Sequence, residues 1–433
     1  MSTDLRRHIE TTPLIDTHEH LRSEQDWLED GPDILQDLFG NYVTADLTVA
    51  GATEEDIQML FDASNPDLAA RFEPIRRAWE AVQFTGYGEA VRNLAEQIYQ
   101  MNPITAEALP QAQERLTELR KPGTRLGLLN RGANLDHVQT DNFVWACVPD
   151  ESGRDFFMYD LSWVNFCNGD IRREDLAKET GIEVSSLEDL RQAMSRLFEM
   201  YAPYAIAVKS QHAYSRTLCW EERTENEANG ALSRTLENPD NVSEEDRLCL
   251  GDWCLARGVE HAIEHNLPFK IHTGYYAGHS RMPVDRIKGG NLCGLLNKYL
   301  DARFVLMHIA YPYSDEMVAI AKHYPNVWVD LCWAWSIDPF SSCDFVRRFI
   351  HAVPRNKLFA FGGDTMWPTS AVGYAIQARK WLTRALEAEV VSGDMTERQA
   401  MDTATRLMQQ NQRDCFDIDG TRRAIADASA AAS

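Results

Sequence analysis

The run Leu14-Ile15-Asp16-Thr17-His18-Glu19-His20 closes on two histidines one residue apart. In an extended strand, residues two apart share a face, so both imidazoles can point the same way from the strand's end. Neutral imidazole nitrogens suit zinc, manganese or iron. Two histidines this close also occur on solvated surfaces, and the pair alone does not decide between these readings.

Three later runs end in residues of the same class. Phe269-Lys270-Ile271 leads into His272, Arg303 to Met307 into His308, and Lys357 to Gly363 into Asp364. Gly274, Gly362 and Gly363 let the chain approach closely where strand passes into loop. Any one strand-end histidine is more simply a hydrogen-bonded core residue. Four strand ends that all carry His or Asp point instead to one shared site at the rim of a barrel.

Other candidates stand around this set. Lys209 ends the run Tyr204-Ala-Ile-Ala-Val-Lys-Ser and could contact a substrate carboxylate or form a structural ion pair. His212 and Arg216 follow it. The planar Arg216 fork matches a carboxylate, although pairing with an acidic neighbour is the plainer alternative. Trp333, Trp335 and Trp367 could wall a pocket or pack in the core. Tyr87, Arg125 and Arg131 lie near Gly-rich turns without a phosphate-loop fingerprint, and could reach over the barrel mouth.

The elements that would position these residues alternate. Helical patterns at Leu187 to Met200, Glu244 to His265, Leu292 to Leu300, Asp315 to His323 and Cys343 to Ala352 each precede a short apolar run. This predicts βα units around a parallel sheet, with these runs as strands four to eight of a (β/α)₈ TIM barrel in the α/β class. Earlier, Leu14 to His20 and Phe143 to Val148 read as strands. Residues 24–120 are too long for a βα connection and are expected to form a helical insertion or lid after the first strand. Glu221 to Asn241 reads as a surface loop, Ser370 to Phe416 as helix, and Ala424 to Ser433 as a frayed end of the 417–433 tail. All 433 residues are expected to form one barrel domain.

With 44% hydrophobic and 25% charged residues, the chain has the mixture of a soluble globular protein. Its formal charge of -23 repels nucleic acid and anionic lipid, though a bound cation can reverse the sign inside one pocket. Met1 to Pro13 holds no apolar leader segment and no run approaches a membrane span, so a cytoplasmic location is expected. Nine cysteines without a Cys-x-x-Cys pair fit reduced thiols.

Several stretches resemble the amidohydrolase superfamily: Val208-Lys-Ser-Gln-His-Ala-Tyr-Ser-Arg216, Ile271-His-Thr-Gly274, Met307-His-Ile-Ala-Tyr-Pro-Tyr313, Tyr324-Pro-Asn-Val-Trp-Val-Asp330 and Phe361-Gly-Gly-Asp364. They look like its amidohydrolase-related branch, similar to the domain fused to glutamine synthetase in some proteins. Uronate isomerases and barrel decarboxylases are more distant members. The resemblance implies that His18, His20, His272 and Asp364 hold one divalent transition metal, zinc first and manganese or iron as alternatives. It places His308 by the substrate and Asp364 as a proton carrier. It also opens a third reading of Lys209, as a carbamate bridging a second metal; a mononuclear site is preferred.

The expected activity is hydrolysis, by metal-activated water, of an amide, cyclic amide or lactone in a small carboxylated molecule. The alternatives are a uronate-type isomerase or decarboxylase on the same frame, and a non-catalytic barrel acting as a binding module. The expected partner is a small substrate, with no nucleic acid and no membrane; homo-oligomer formation through outer helices is left open.

Overall fold

A computed structural model describes the chain from Asp4 to Ala432, with side chains to Ala428. Eight short strands lie side by side in sequence order: β1 (Leu14–Glu19), β2 (Leu135–Thr140), β3 (Phe157–Ser162), β4 (Ala205–Ser210), β5 (Phe269–His272), β6 (Phe304–Met307), β7 (Val327–Asp330) and β8 (Leu358–Phe359). All neighbouring pairs are parallel. The ring closes where β1 meets the segment after β8: Thr17 N donates to Phe361 O at 3.1 Å, Asp364 N to His18 O at 3.0 Å and His20 N to Thr365 O at 2.9 Å. This is a (β/α)₈ TIM barrel.

Every residue of β4, β5 and β6 is buried, as expected of parallel strands covered on both faces. Outer helices supply the cover, among them Leu187–Tyr201, Glu244–Glu264, Ser314–His323, Pro339–Ala352 and Pro368–Ser392. Ser186, Ser243 and Asp338 cap three of these at the N-terminus, each accepting a backbone N–H three residues on. One buried ion pair sits within the barrel wall. Lys270 Nζ donates to both carboxylate oxygens of Asp160 at 2.9 Å and to Thr17 O at 2.7 Å.

Between β1 and β2 the chain is helical almost throughout, from Glu24–Glu29 to Leu109–Leu119. Buried Asp37 ties this stretch to the helix after β8: Thr369 Oγ1 and Tyr99 Oη each donate to it at 2.5 Å.

Three sequence expectations are corrected. Phe143 to Val148 is a loop lying between β2 and β3, not a strand. Glu225–Glu237, expected within a surface loop, is a helix opened by a Thr224–Glu227 capping box and seated on Ala228, Ala231 and Leu232. The alanine-rich end, expected to fray, continues the helix Ile418–Ala432; Ser433 lies outside the described residues. Among the described residues no helix is long and apolar enough to cross a membrane.

Candidate metal centre and active site

His18 and His20 leave the end of β1 on the same face and meet Asp364, which follows β8. His18 Nε2 lies 3.3 Å and His20 Nε2 3.4 Å from the same carboxylate oxygen, Asp364 Oδ1. Four ligand atoms held about 2.1 Å from one cation in a tetrahedron stand about 3.4 Å apart, so this spacing is that of a metal shell. His20 Nδ1 donates to Asp141 O at 2.6 Å, which fixes the tautomer and leaves Nε2 with its lone pair free. Burial disfavours the carboxylate of Asp364, but His18, His20 and His308 together hold its pKa well below the usual value. Burial, with Lys209 nearby, likewise keeps His18 far below its ordinary value and so neutral. The donor set therefore fits a divalent cation.

The other two strand-end histidines border the same space. His308 Nδ1 donates to Cys332 O at 2.8 Å, so its Nε2 carries a lone pair; that nitrogen is buried without a partner, 3.9 Å from Asp364 Oδ2. Burial pushes His308 down to about 4. The His272 ring stands 4.3 Å from that of His308, with Nε2 against Tyr275 O at 2.9 Å, which leaves Nδ1 as the nitrogen it can offer. His272 is thus beside the trio rather than in it.

The backbone at the rim is strained where these residues project. His308, Ile309 and Ala310 are consecutive left-handed residues, and Trp333 and Asp364 are left-handed as well. Each such non-glycine position costs on the order of 1–2 kcal/mol and persists only where the surroundings enforce it. At Gly363 a Cβ would overlap the Glu19 carboxylate, so a larger residue there requires the buried Glu19 side chain to move.

Lys209 is buried, and its Nζ lies 3.4 Å from His18 Nε2. Among the described residues no carboxylate comes within 4.0 Å of it, so a structural ion pair is not formed; the charge faces the cavity. Two oriented layers lie behind. Thr17 Oγ1 donates to Asp330 Oδ2 at 2.6 Å, and His18 Nδ1 faces Asp160 Oδ2 at 3.9 Å.

The helical stretch after β1 covers the site. Tyr42 Oη donates to Asp364 O at 2.6 Å, and its ring packs on Trp333 at 4.5 Å and on Tyr87 at 5.6 Å. Trp333 in turn meets His308 edge-on at 5.4 Å. Phe143, from the β2–β3 loop, stacks flat on His20 at 4.5 Å. Tyr42, Phe143, Asp141 and Gln211 were not singled out from the sequence. Tyr42 follows no motif; Phe143 carried an apolar signal that was assigned to a strand.

The structure does not bring all the proposed residues together. Arg216 is buried 2.5 Å from Asp252 Oδ1 and also donates to the carbonyls of Cys167, Thr217 and Cys219. The plainer reading expected an exposed arginine paired with an acidic neighbour; the pair that forms is buried. His212 is buried with Nδ1 on Ser210 Oγ at 2.8 Å. Trp335 donates to Ala360 O at 2.8 Å, and Trp367 packs on Trp27 at 5.9 Å. Arg125 is buried against Asp150 and the Phe157 ring.

Two adjoining cavities open here. A deep one of about 330 Å³ is lined by His18, His20, Lys209, Gln211, His272 and Asp364. An outer one of about 600 Å³ shares His20, Tyr42, Phe143 and Asp364 with it.

Comparison with known proteins agrees with this geometry. Residues 221–407 match the family model described as amidohydrolase. Protein fluG of Emericella nidulans is 24% identical over 261 residues, 54% of this chain; the chain covers only 29% of that protein's length. A uronate isomerase from Thermotoga maritima matches with a TM-score of 0.79 at 14% identity, covering 95% of this chain and 96% of that one. A glucuronate isomerase from Caulobacter crescentus matches with a TM-score of 0.78 at 16% identity, over 96% of this chain and 93% of that one. These findings bear out the resemblance of the motifs to the amidohydrolase-related branch and the more distant likeness to uronate isomerases. The fold is shared with these uronate isomerases, and the sequence likeness to the amidohydrolase model lies in residues 221–407.

Proposed function

We propose that this chain is a metal-dependent hydrolase acting on an amide, cyclic amide or lactone of a small carboxylated molecule. The observation that carries the reading is the convergence of His18 Nε2, His20 Nε2 and Asp364 Oδ1 within bonding range of a single cation at the barrel rim. His272 would complete the shell through Nδ1. A divalent cation held there, zinc by preference, polarises a carbonyl and lowers the pKa of water from 15.7 towards about 7.

The chain's own groups do the rest. Asp364 Oδ2, 3.9 Å from His308 Nε2, is placed to take a proton from the attacking water and return it to the leaving group. His308, neutral and with its unpartnered Nε2 buried 3.9 Å from Asp364 Oδ2, steadies the proton on Asp364. Lys209, with no carboxylate of its own, is available to a substrate carboxylate. Tyr42, Trp333 and Phe143 exclude bulk water, which strengthens each of these interactions.

A second reading, isomerisation of a uronate, is favoured by the match of the uronate isomerases along 95–96% of the chain, insertion included. Incubation of metal-loaded enzyme in ¹⁸O-water with panels of acyl-amino compounds, lactones and uronates, followed by proton NMR and mass spectrometry, separates the two. Hydrolysis places ¹⁸O in a new carboxylate. Aldose-to-ketose conversion without ¹⁸O uptake at carboxylate would replace the first reading by the second.

A further inference from the structure

The outer cavity is nearly twice the size of the deep one, and its polar lining holds one arginine, Arg22, together with Asp26, Asn41, Asn142 and His279. Asp141 has both oxygens occupied, by Phe143 N and by Gln211 Nε2, each at 2.9 Å. Asp26 accepts from Ser23 N at 3.1 Å, and Thr44 Oγ1 donates to Phe39 O at 2.5 Å. Asn41 has its amide oxygen on Tyr42 N at 2.7 Å, which leaves its NH₂ free. The Arg22 guanidinium lines the same cavity and makes no hydrogen bond or ion pair with the described residues.

Arg22 is two residues past His20, and its N donates to Met366 O at 3.1 Å while His20 N donates to Thr365 O, so this segment stays tied to the chain after β8. Two residues of chain span at most about 7 Å. Phe143, Tyr42, Leu21 and Met366 give the outer cavity an apolar part of its wall. His20, Tyr42, Phe143 and Asp364 border both cavities, so Lys209 lies on the deep side of the candidate cation site and the unpaired guanidinium on the outer side.

We propose that Arg22 is a specificity determinant that binds a second, distal carboxylate of the substrate, so that the enzyme acts on two-ended anionic molecules with an apolar spacer. The inference rests on the proposed metal centre at the deep end but not on which bond is broken there. A planar guanidinium takes a carboxylate bidentately, and the apolar part of the wall receives the spacer. A free monosaccharide acid would fill only the deep cavity.

The test is binding of a ladder of straight-chain α,ω-dicarboxylates, succinate to sebacate, against monocarboxylates of equal length, by calorimetry on zinc-loaded enzyme. Wild type should favour dicarboxylates about tenfold or more at one optimal length. Arg22→Met should bring the ratio of di- to monocarboxylate affinity close to one, and Arg22→Lys should keep part of it. An unchanged melting temperature in both variants verifies the fold. Equal binding of the two series by wild type, or a dicarboxylate preference that survives in Arg22→Met, overturns the proposal. Because the readout is binding alone, it stands apart from the ¹⁸O experiment: an isomerase could pass this test, and a hydrolase could fail it.

Discussion

Asp364 places a buried carboxylate among His18, His20 and His308, and in the proposed site a bound cation would balance its charge. Replacing it by Asn removes the anion while keeping its shape, so Asp364→Asn should lose zinc on dialysis that wild type survives, with a near-unchanged far-ultraviolet spectrum; zinc content per chain by elemental analysis is the check. His212 shows the opposite balance. Burial and the Arg216 charge lower it to about 3, so the folded protein holds it neutral while the unfolded chain takes a proton below pH 6.5. The unfolded state then binds more protons, and stability falls as pH drops from 6.5 towards 3, by about 1.4 kcal/mol per unit across that window. Urea unfolding at pH 7.5 and pH 5.0 should show a smaller acid loss in His212→Asn than in wild type, by about 2 kcal/mol. An equal loss would mean that His212 is charged in the fold.

At the scale of elements, the late strands were legible because each is a short apolar run, four of the five leading into His or Asp, and a strand buried on both faces has no polar alternation to blur the signal. The early ones were not. β2 reads Leu-Asp-His-Val-Gln-Thr, with His137 and Gln139 buried inside the barrel, so its sequence looks polar. The loop after it is rich in Phe, Val and Trp because it covers the mouth, and Phe143 and Val148 remain 50% and 64% exposed. Apolar content was therefore a misleading guide where it serves a cavity rather than a core. The Glu225–Glu237 helix was hidden by its charge, although the Thr224-x-x-Glu227 box was present to be read. Two predictions belong at this scale. Gly363→Ala should displace Asp364 and abolish zinc retention while costing little global stability, as measured by zinc content beside a thermal melt. Tyr99→Phe leaves Asp37 Oδ2 without a donor, at a cost of about 1–3 kcal/mol. Hydrogen exchange should then quicken in the helices of 24–120 more than in the barrel strands, and uniform quickening would contradict the anchoring role of Asp37.

For the whole molecule, one barrel carries the candidate metal ligands at the ends of its strands, and the helical stretch between β1 and β2 roofs them with Tyr42 and Tyr87. The formal charge of -23 contrasts with the proposed site, where a bound cation, Lys209 and Arg22 would together form a patch of positive potential for an anionic molecule. The metal frame was open to inspection in the sequence because His-x-His and Asp364 sit at strand ends. The roof was not, because Tyr42 acts across more than three hundred residues of chain through a single hydrogen bond. The most direct test of the central claim is diffraction at the zinc absorption edge from zinc-loaded crystals. The account predicts an anomalous peak about 2.0–2.2 Å from His18 Nε2, His20 Nε2 and Asp364 Oδ1. A loaded protein with no peak between these three atoms would contradict it.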